Sequence, residues 1–192
     1  MYDGEGLIDK ETLKKGVEHA DALISLLSTS VDKDIIDSAN NLKIIANYGA
    51  GFNNIDVEYA RQQNIDVTNT PHASTNATAD LTIGLILSVA RRIVEGDHLS
   101  RTTGFDGWAP LFFRGREVSG KTIGIIGLGE IGGAVAKRAR AFDMDVLYTG
   151  PHRKEEKERD IGAKYVDLDT LLKNADFITI NAAYNPSLHH MI

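Results

Sequence analysis

Short apolar runs alternate with amphipathic stretches along most of the chain. Residues 10–20 (KETLKKGVEHA) have helical spacing, and Ala22–Leu27 follows as a buried strand. A short helix over 32–39 leads to a second strand at Leu42–Ala46 and a Gly/Asn-rich turn at Asn47–Asn54. A helix at Ile55–Gln63 and a short strand at Ile65–Asn69 come next. Thr70-Pro71 closes this strand, and Ser74–Val94 reads as one long, mostly apolar helix. From Glu95 to Gly120 the periodicity lapses, broken by Gly104, Gly107, Pro110 and Gly115 with Trp108, Phe112 and Phe113 between them. Alternation resumes with a strand at Thr122–Ile126, a helix at Glu130–Phe142, a strand at Val146–Thr149 and a helix at Lys154–Ile161. A strand at Lys164–Val166, a helix at Leu168–Asn174 and a strand at Phe177–Asn181 complete the pattern. Such alternation predicts an α/β protein whose parallel sheets are covered on both faces. The lapse predicts two domains, 1–95 and 96–192.

The ends break the pattern. The first segment opens on a helix that no strand feeds, and the second stops soon after its last strand with half of a doubly wound sheet written. The expectation is a piece of a longer protein.

Composition narrows the chemistry. The 192 residues are 42% hydrophobic and 25% charged, the balance of a globular protein. Twenty-one Lys and Arg against 27 Asp and Glu give a net charge of −6, with no basic block to engage nucleic acid. The lack of cysteine excludes disulfide scaffolds, thiolate metal sites and cysteine nucleophiles, and the six His show no metal-ligand spacing. An acidic, non-apolar N-terminus and no apolar run of bilayer length predict no signal peptide, no membrane partner and a cytoplasmic location.

Residues 122–132, TIGIIGLGEIG, place Gly127, Gly129 and Gly132 in G-x-G-x-x-G spacing between a predicted strand and helix. The first glycine permits a tight turn, the second lets backbone approach a pyrophosphate, and the third lets helix pack on strand. The helix N-terminus then faces the anion. The plainer alternative is a set of turn glycines in a βα unit. A dinucleotide fold next expects a carboxylate at the end of the second strand, to hold the ribose 2′-OH of NAD. Here that position is Gly150, followed by Pro151-His152-Arg153-Lys154. Cations behind a glycine suit a 2′-phosphate and favour NADP over NAD; alternatively, Arg153 and Lys154 merely begin a solvated helix. A second glycine loop, Asn47–Asp56, also lies between strand and helix. Its backbone N–H groups make a candidate nest for a carboxylate, although Asn-Asn-Ile-Asp also suits a helix N-cap.

These loops, with LKIIANYGAGFNNIDVEYA, DVTNTPHASTNATADLTIGLILSVARR, REVSGKTIGIIGLGEIGGAVAKRA and ADFITINAAYNPSLHHMI, resemble the D-isomer-specific 2-hydroxyacid dehydrogenases over essentially the whole chain. Within the family the chain is most similar to the glyoxylate and hydroxypyruvate reductases. The features are Ala77–Asp80 (ATAD), the Trp108–Gly115 segment, and Leu147–Gly150 (LYTG) where others end a strand in Asp. The resemblance implies two doubly wound parallel-sheet domains. One is a flavodoxin-like substrate domain (1–95) lacking its first strand, the other an incomplete Rossmann NAD(P)-binding domain (96–192).

The resemblance also assigns roles. Gly49 and Ala50 offer backbone N–H groups to the substrate carboxylate, and Gly127, Gly129, Glu130, Ile131 and Gly132 wrap the pyrophosphate. Gly150, His152, Arg153 and Lys154 surround the adenosine ribose, Ala182 and Ala183 line the cofactor cleft, and Thr75 lies near the nicotinamide. Trp108 matches an aromatic that reaches into a neighbouring subunit's active site, with core packing as its alternative. A homodimer through the Rossmann domain follows, burying the Glu95–Gly120 segment. The implied activity is reduction of a small 2-oxo acid with NADPH or NADH. A phosphoglycerate-type dehydrogenase is disfavoured by Gly150 and the Trp108 segment. A dinucleotide-sensing corepressor would need a basic or peptide-binding surface that the sequence does not display.

Three departures stand out. The family's catalytic Arg, Glu and His fall beyond Ile192, so the 192 residues are expected to be inactive alone; His189 and His190 read as surface residues. Asn53 replaces an Asp of the substrate loop. Glu130 replaces an Arg of the phosphate loop, placing like charge near a pyrophosphate even though helix N-termini favour Glu.

Overall fold

A computed structural model describes residue 4, residues 6–183 and residues 188–191. They form two compact units, one of the described residues up to Ser74 with those from Leu188 on, the other Thr75–Ala183. Tyr184–Ser187 and Ile192, within the last family-like stretch, lie outside the described residues.

The first unit runs α1 (Lys10–Val17), β1 (Ala22–Leu26), α2 (Lys33–Asp37), β2 (Ile44–Tyr48), α3 (Val57–Gln62) and β3 (Asp66–Thr68). Each helix begins where an Asp caps it: Asp9, Asp32 and Asp56 accept hydrogen bonds from the backbone N–H of Thr12, Ile35 and Tyr59. Leu13 and Val17 of α1 and Ile35 and Ile36 of α2 bury against Ile45, Ala60 and Ile65. The sheet is parallel, in the order β1-β2-β3, with Ser25 opposite Asn47 and Ile45 opposite Val67. Its two faces differ. Ser25, Ile45 and Asn47 are buried, whereas Ile24, Leu26 and Tyr48 are exposed, so this face does not match the expected two-sided cover.

The second unit opens with α4 (Thr75–Ala90) and α5 (Ile93–Arg101). It continues β4 (Thr122–Ile126), α6 (Glu130–Ala141), β5 (Asp145–Thr149), α7 (Glu155–Ile161), β6 (Ala163–Tyr165), α8 (Leu168–Asn174) and β7 (Phe177–Ile180). The parallel order β6-β5-β4-β7 is that of the first half of a dinucleotide-binding sheet together with its return strand. Ile123, Ile125, Val146 and Tyr148 meet Val135, Ala136 and Ala139 of α6 in the core. Gly124 admits α8 on this sheet: a Cβ there would lie 2.5 Å from Leu171 Cδ2.

The single helix expected over Ser74–Val94 is two. Arg92 adopts left-handed backbone (φ 55°), and the Arg116 N–H donates to the Ala90 carbonyl at 2.6 Å, taking an acceptor that a continuing helix would use. Arg92 is held there by Glu95 and by the face of Phe113, 4.2 Å from the ring centroid. The stretch read as irregular thus opens on α5, which has no buried residue and hence no core-facing stripe to betray it. The units also divide at Ser74/Thr75, not at 95/96. Ala79, Ile83 and Ala90 of α4 belong to the same core as α6 and the second sheet.

Candidate functional site

The turn from β4 into α6 is built around three glycines. Gly127 has φ 96°, donates its N–H to the Thr149 carbonyl, and leaves no room for a side chain: a Cβ would sit 2.7 Å from Ala182 N. A Cβ on Gly132 would collide with the Gly127 carbonyl oxygen, so α6 packs directly on the turn. Gly129 is the N-cap, has open space where a Cβ would project, and gives α6 no side-chain cap. The first-turn N–H groups, Ile131 and Gly132 included, are thereby left for an external anion. Glu130, expected to repel that anion, is paired: Lys157 Nζ lies 2.9 Å from its carboxylate and 2.9 Å from the Gly129 carbonyl. Lys157 brings a compensating cation to the loop from α7, a helix the sequence presents only as a charge run.

Beside this turn, β5 ends at Gly150. The ring of Tyr148 is buried, and its hydroxyl donates to Glu158 at 2.7 Å and accepts the Lys154 N–H at 2.7 Å. Arg153 donates Nε and Nη2 to the two oxygens of Glu158, at 2.8 and 2.9 Å. Tyr165 packs edge-on against Tyr148 and donates to the Gly150 carbonyl at 3.2 Å. Burial, and then the bond to Glu158, push the Tyr148 hydroxyl up to about 12. Arg153, with Tyr148 second, holds the Glu158 carboxyl down to about 2, and Glu158 in turn raises Arg153 above the usual guanidinium value. His152 and Lys154 are exposed. Helix α7 begins at Glu155, and of the three cations Arg153 is held against it by Glu158.

Ala182 borders Gly127 and is half-buried, while Ala183 is exposed. Thr75, at the start of α4, holds a buried Oγ1 with no hydrogen-bond partner among the described residues. Trp108 is 85% exposed, so the core-packing alternative fails; with Leu99, Phe105 and Phe112 it borders an open depression of about 450 Å³. His189 and His190 sit exposed in a turn.

In the first unit, the loop after β2 hangs from a buried amide. Asn47 Oδ1 accepts from Ser25 Oγ at 2.9 Å, and its Nδ2 donates to the Gly51 carbonyl at 2.7 Å. Asn54 Nδ2 donates to the Leu26 and Thr29 carbonyls, and Asn69 Nδ2 to the Ala50 carbonyl. Gly49 fits tightly, with a would-be Cβ 2.5 Å from Leu27 Cδ2. Its N–H is turned onto the Asn47 carbonyl, whereas the Ala50 N–H has no acceptor among the described residues. Of the two expected carboxylate donors, Ala50 is the open one. Asn53 lies on the same loop, its Oδ1 3.4 Å from where a Gly51 Cβ would be.

A family model described as D-isomer specific 2-hydroxyacid dehydrogenase, NAD binding domain, matches residues 83–192. The chain belongs to this family. A Staphylococcus aureus (strain USA300) protein provisionally named a 2-hydroxyacid dehydrogenase is 85% identical over 192 residues, which are 100% of this chain and 61% of that protein. The chain thus spans less than two thirds of the curated relatives it matches. The crystal structure of the TT0316 protein from Thermus thermophilus superposes with TM-score 0.88 and 40% identity, covering 97% of this chain and 58% of that one. A glyoxylate reductase from Paecilomyes thermophila superposes with TM-score 0.82 and 35% identity, covering 95% and 56%. The glycine turn between β4 and α6 therefore belongs to an NAD-binding domain of the dehydrogenase family. No helix among the described residues is long and apolar enough to cross a membrane.

Proposed function

We propose that the protein reduces a small 2-oxo acid of the glyoxylate or hydroxypyruvate type to its D-2-hydroxy acid, with NADPH preferred over NADH. The observation that carries this reading is the end of β5, where Gly150 stands in place of a carboxylate and Arg153 is held close behind it. The residues present fit the cofactor: two glycines admit no side chain, the N-terminus of α6 has no side-chain cap, and a buried Thr75 Oγ1 waits for a partner.

A bound reduced nicotinamide supplies the hydride for the substrate carbonyl carbon. The chain's own residues do the holding. The Gly127–Gly132 turn and the positive end of α6 bind the pyrophosphate, with Lys157 offsetting the charge of Glu130. His152, Arg153 and Lys154 receive the 2′-phosphate, Ala182 and Ala183 wall the cleft, and Thr75 faces the nicotinamide. The Ala50 N–H and its loop neighbours receive the substrate carboxylate, with Gly49 keeping the loop tight. A second copy of the chain covers Trp108 and the exposed apolar face of α4 and α5 in a homodimer.

The test is kcat/KM of the full-length protein on glyoxylate, hydroxypyruvate and pyruvate, each with NADPH and NADH. Glyoxylate or hydroxypyruvate with NADPH is expected to lead. A lead for pyruvate, or equal use of the two cofactors, overturns the corresponding half of the reading.

A further inference from the structure

We infer that Glu158, braced by Tyr148, is the positioning residue that aims Arg153 at the cofactor 2′-phosphate and so sets the choice between the two dinucleotides. The inference rests on the 2′-phosphate reading of the Gly150 turn proposed above.

Arg153 carries five N–H donors in a planar fork. Glu158 takes the Nε–H and one Nη2–H, leaving both Nη1 hydrogens and the other Nη2–H on the far edge of the guanidinium. That edge presents paired donors, the geometry that matches two phosphate oxygens. The two partners differ in exposure. Arg153 is 58% exposed, whereas Glu158 is only 13% exposed, so the carboxylate is the anchored member and the guanidinium the presented one.

The anchor traces back to the core. Glu158 Oε1 also accepts the hydroxyl of Tyr148, whose ring is fully buried in β5. The same hydroxyl accepts the Lys154 N–H, and Tyr165 holds the Gly150 carbonyl. Both ends of the 150–154 turn are thus tied to the two tyrosines, and its arginine to a carboxylate fixed by one of them. An arginine free on a surface would have to lose its rotamer freedom on meeting the phosphate; here the order is built in before the ligand arrives. Burial and the carboxylate keep the Tyr148 hydroxyl protonated, so the brace stays a donor to Glu158 over the whole physiological range.

The test is the dissociation constant of NADPH and of NADH, from nicotinamide fluorescence, for the purified protein and four variants whose folding is checked by thermal melts. Glu158→Ala is expected to weaken NADPH about tenfold while NADH changes less than about twofold. Glu158→Gln keeps one acceptor oxygen and should restore part of the loss; Tyr148→Phe should weaken NADPH by about threefold. Equal weakening of both cofactors by Glu158→Ala makes Glu158 merely structural and overturns the inference. Tighter NADPH binding makes it a mask on Arg153 and overturns it too. Arg153→Ala separates the two levels. If it leaves the NADPH-to-NADH ratio unchanged, the 2′-phosphate reading itself falls. If it lowers the ratio while Glu158→Ala does not, only the positioning role falls.

Discussion

The carbonyl oxygen of Gly127 fills the space that a side chain on Gly132 would need. The first residue of the phosphate turn thereby dictates the identity of the last, and α6 can start hard against β4 only with glycine at both. Gly127→Ala must place a Cβ at φ 96° and 2.7 Å from Ala182 N, and Gly132→Ala must push α6 off the turn. Each is expected to destabilise the protein by about 1–3 kcal/mol and to abolish dinucleotide binding. Gly129→Ala meets open space and should change stability by less than about 1 kcal/mol while still weakening binding, because its Cβ would project into the space proposed for the pyrophosphate. Thermal melts paired with NADH titrations check this. A Gly129→Ala variant as unstable as Gly132→Ala would refute the steric argument.

The Tyr148–Glu158–Arg153 chain gives stability a defined pH dependence. The Glu158 carboxyl falls from 4.5 to about 2 on folding, so its contribution is complete above the unfolded value and is lost as pH falls from there towards 2. The Tyr148 hydroxyl rises from 10 to about 12; its contribution is complete below pH 10 and is lost between 10 and 12. Denaturant titrations across pH should show Glu158→Gln flattening the acid limb and Tyr148→Phe the alkaline one. Unchanged limbs in both variants would show that the chain does not couple to folding.

The buried Asn47 offers a test of the substrate loop. Its amide holds the Gly51 carbonyl and accepts from Ser25, in a sheet core that is otherwise apolar. Asn47→Ala leaves the Ser25 hydroxyl without its partner and is expected to cost about 1–3 kcal/mol. It also releases the turn that presents the Ala50 N–H. With the full-length enzyme, KM for the 2-oxo acid should rise more than kcat falls, while cofactor affinity stays within about twofold. Thermal melts and steady-state kinetics report the two effects separately.

How much of this was legible beforehand follows from how local each signal is. The β4–α6 turn was readable because glycine spacing, the strand before it and the helix after it fall within eleven residues, Thr122–Gly132. The cap at Asp56 is equally local, since the Asn-Asn-Ile-Asp run ends on it and it accepts from the Tyr59 N–H three residues on. What escaped is non-local. The pairing of Lys157 with Glu130 joins two helices 27 residues apart, and Ser25 with Asn47 joins two strands 22 apart. Nothing in the KEEKERD run distinguishes the one lysine that reaches the phosphate turn, or the one glutamate that holds Arg153, from their solvated neighbours. The break between α4 and α5 was hidden because its cause, the Arg116 N–H on the Ala90 carbonyl, comes from a segment 26 residues away (116 − 90).

The apolar face of the first two helices of the second unit predicts self-association. Leu81, Leu85 and Val89 follow one another at four-residue spacing on α4 and are exposed, Val89 at 76%. Ile93 and Val94 continue the exposure on α5, and Trp108 and Leu111 add to it beyond that helix. So many large apolar side chains exposed on neighbouring elements are unusual for a monomer, and a two-fold axis would bury the same residues on both copies at once. Sedimentation of the full-length protein at micromolar concentration is expected to show a dimer. Leu85→Asp, which sets a carboxylate in the middle of the α4 row, should shift it to monomer by raising the dissociation constant at least about a hundredfold. Because Leu85 is exposed in the single chain, the same variant should leave the unfolding temperature of the monomer nearly unchanged, which separates lost association from lost folding. A wild-type protein that sediments as a monomer would overturn the predicted self-association, and a Leu85→Asp protein that remains a dimer would place the interface elsewhere.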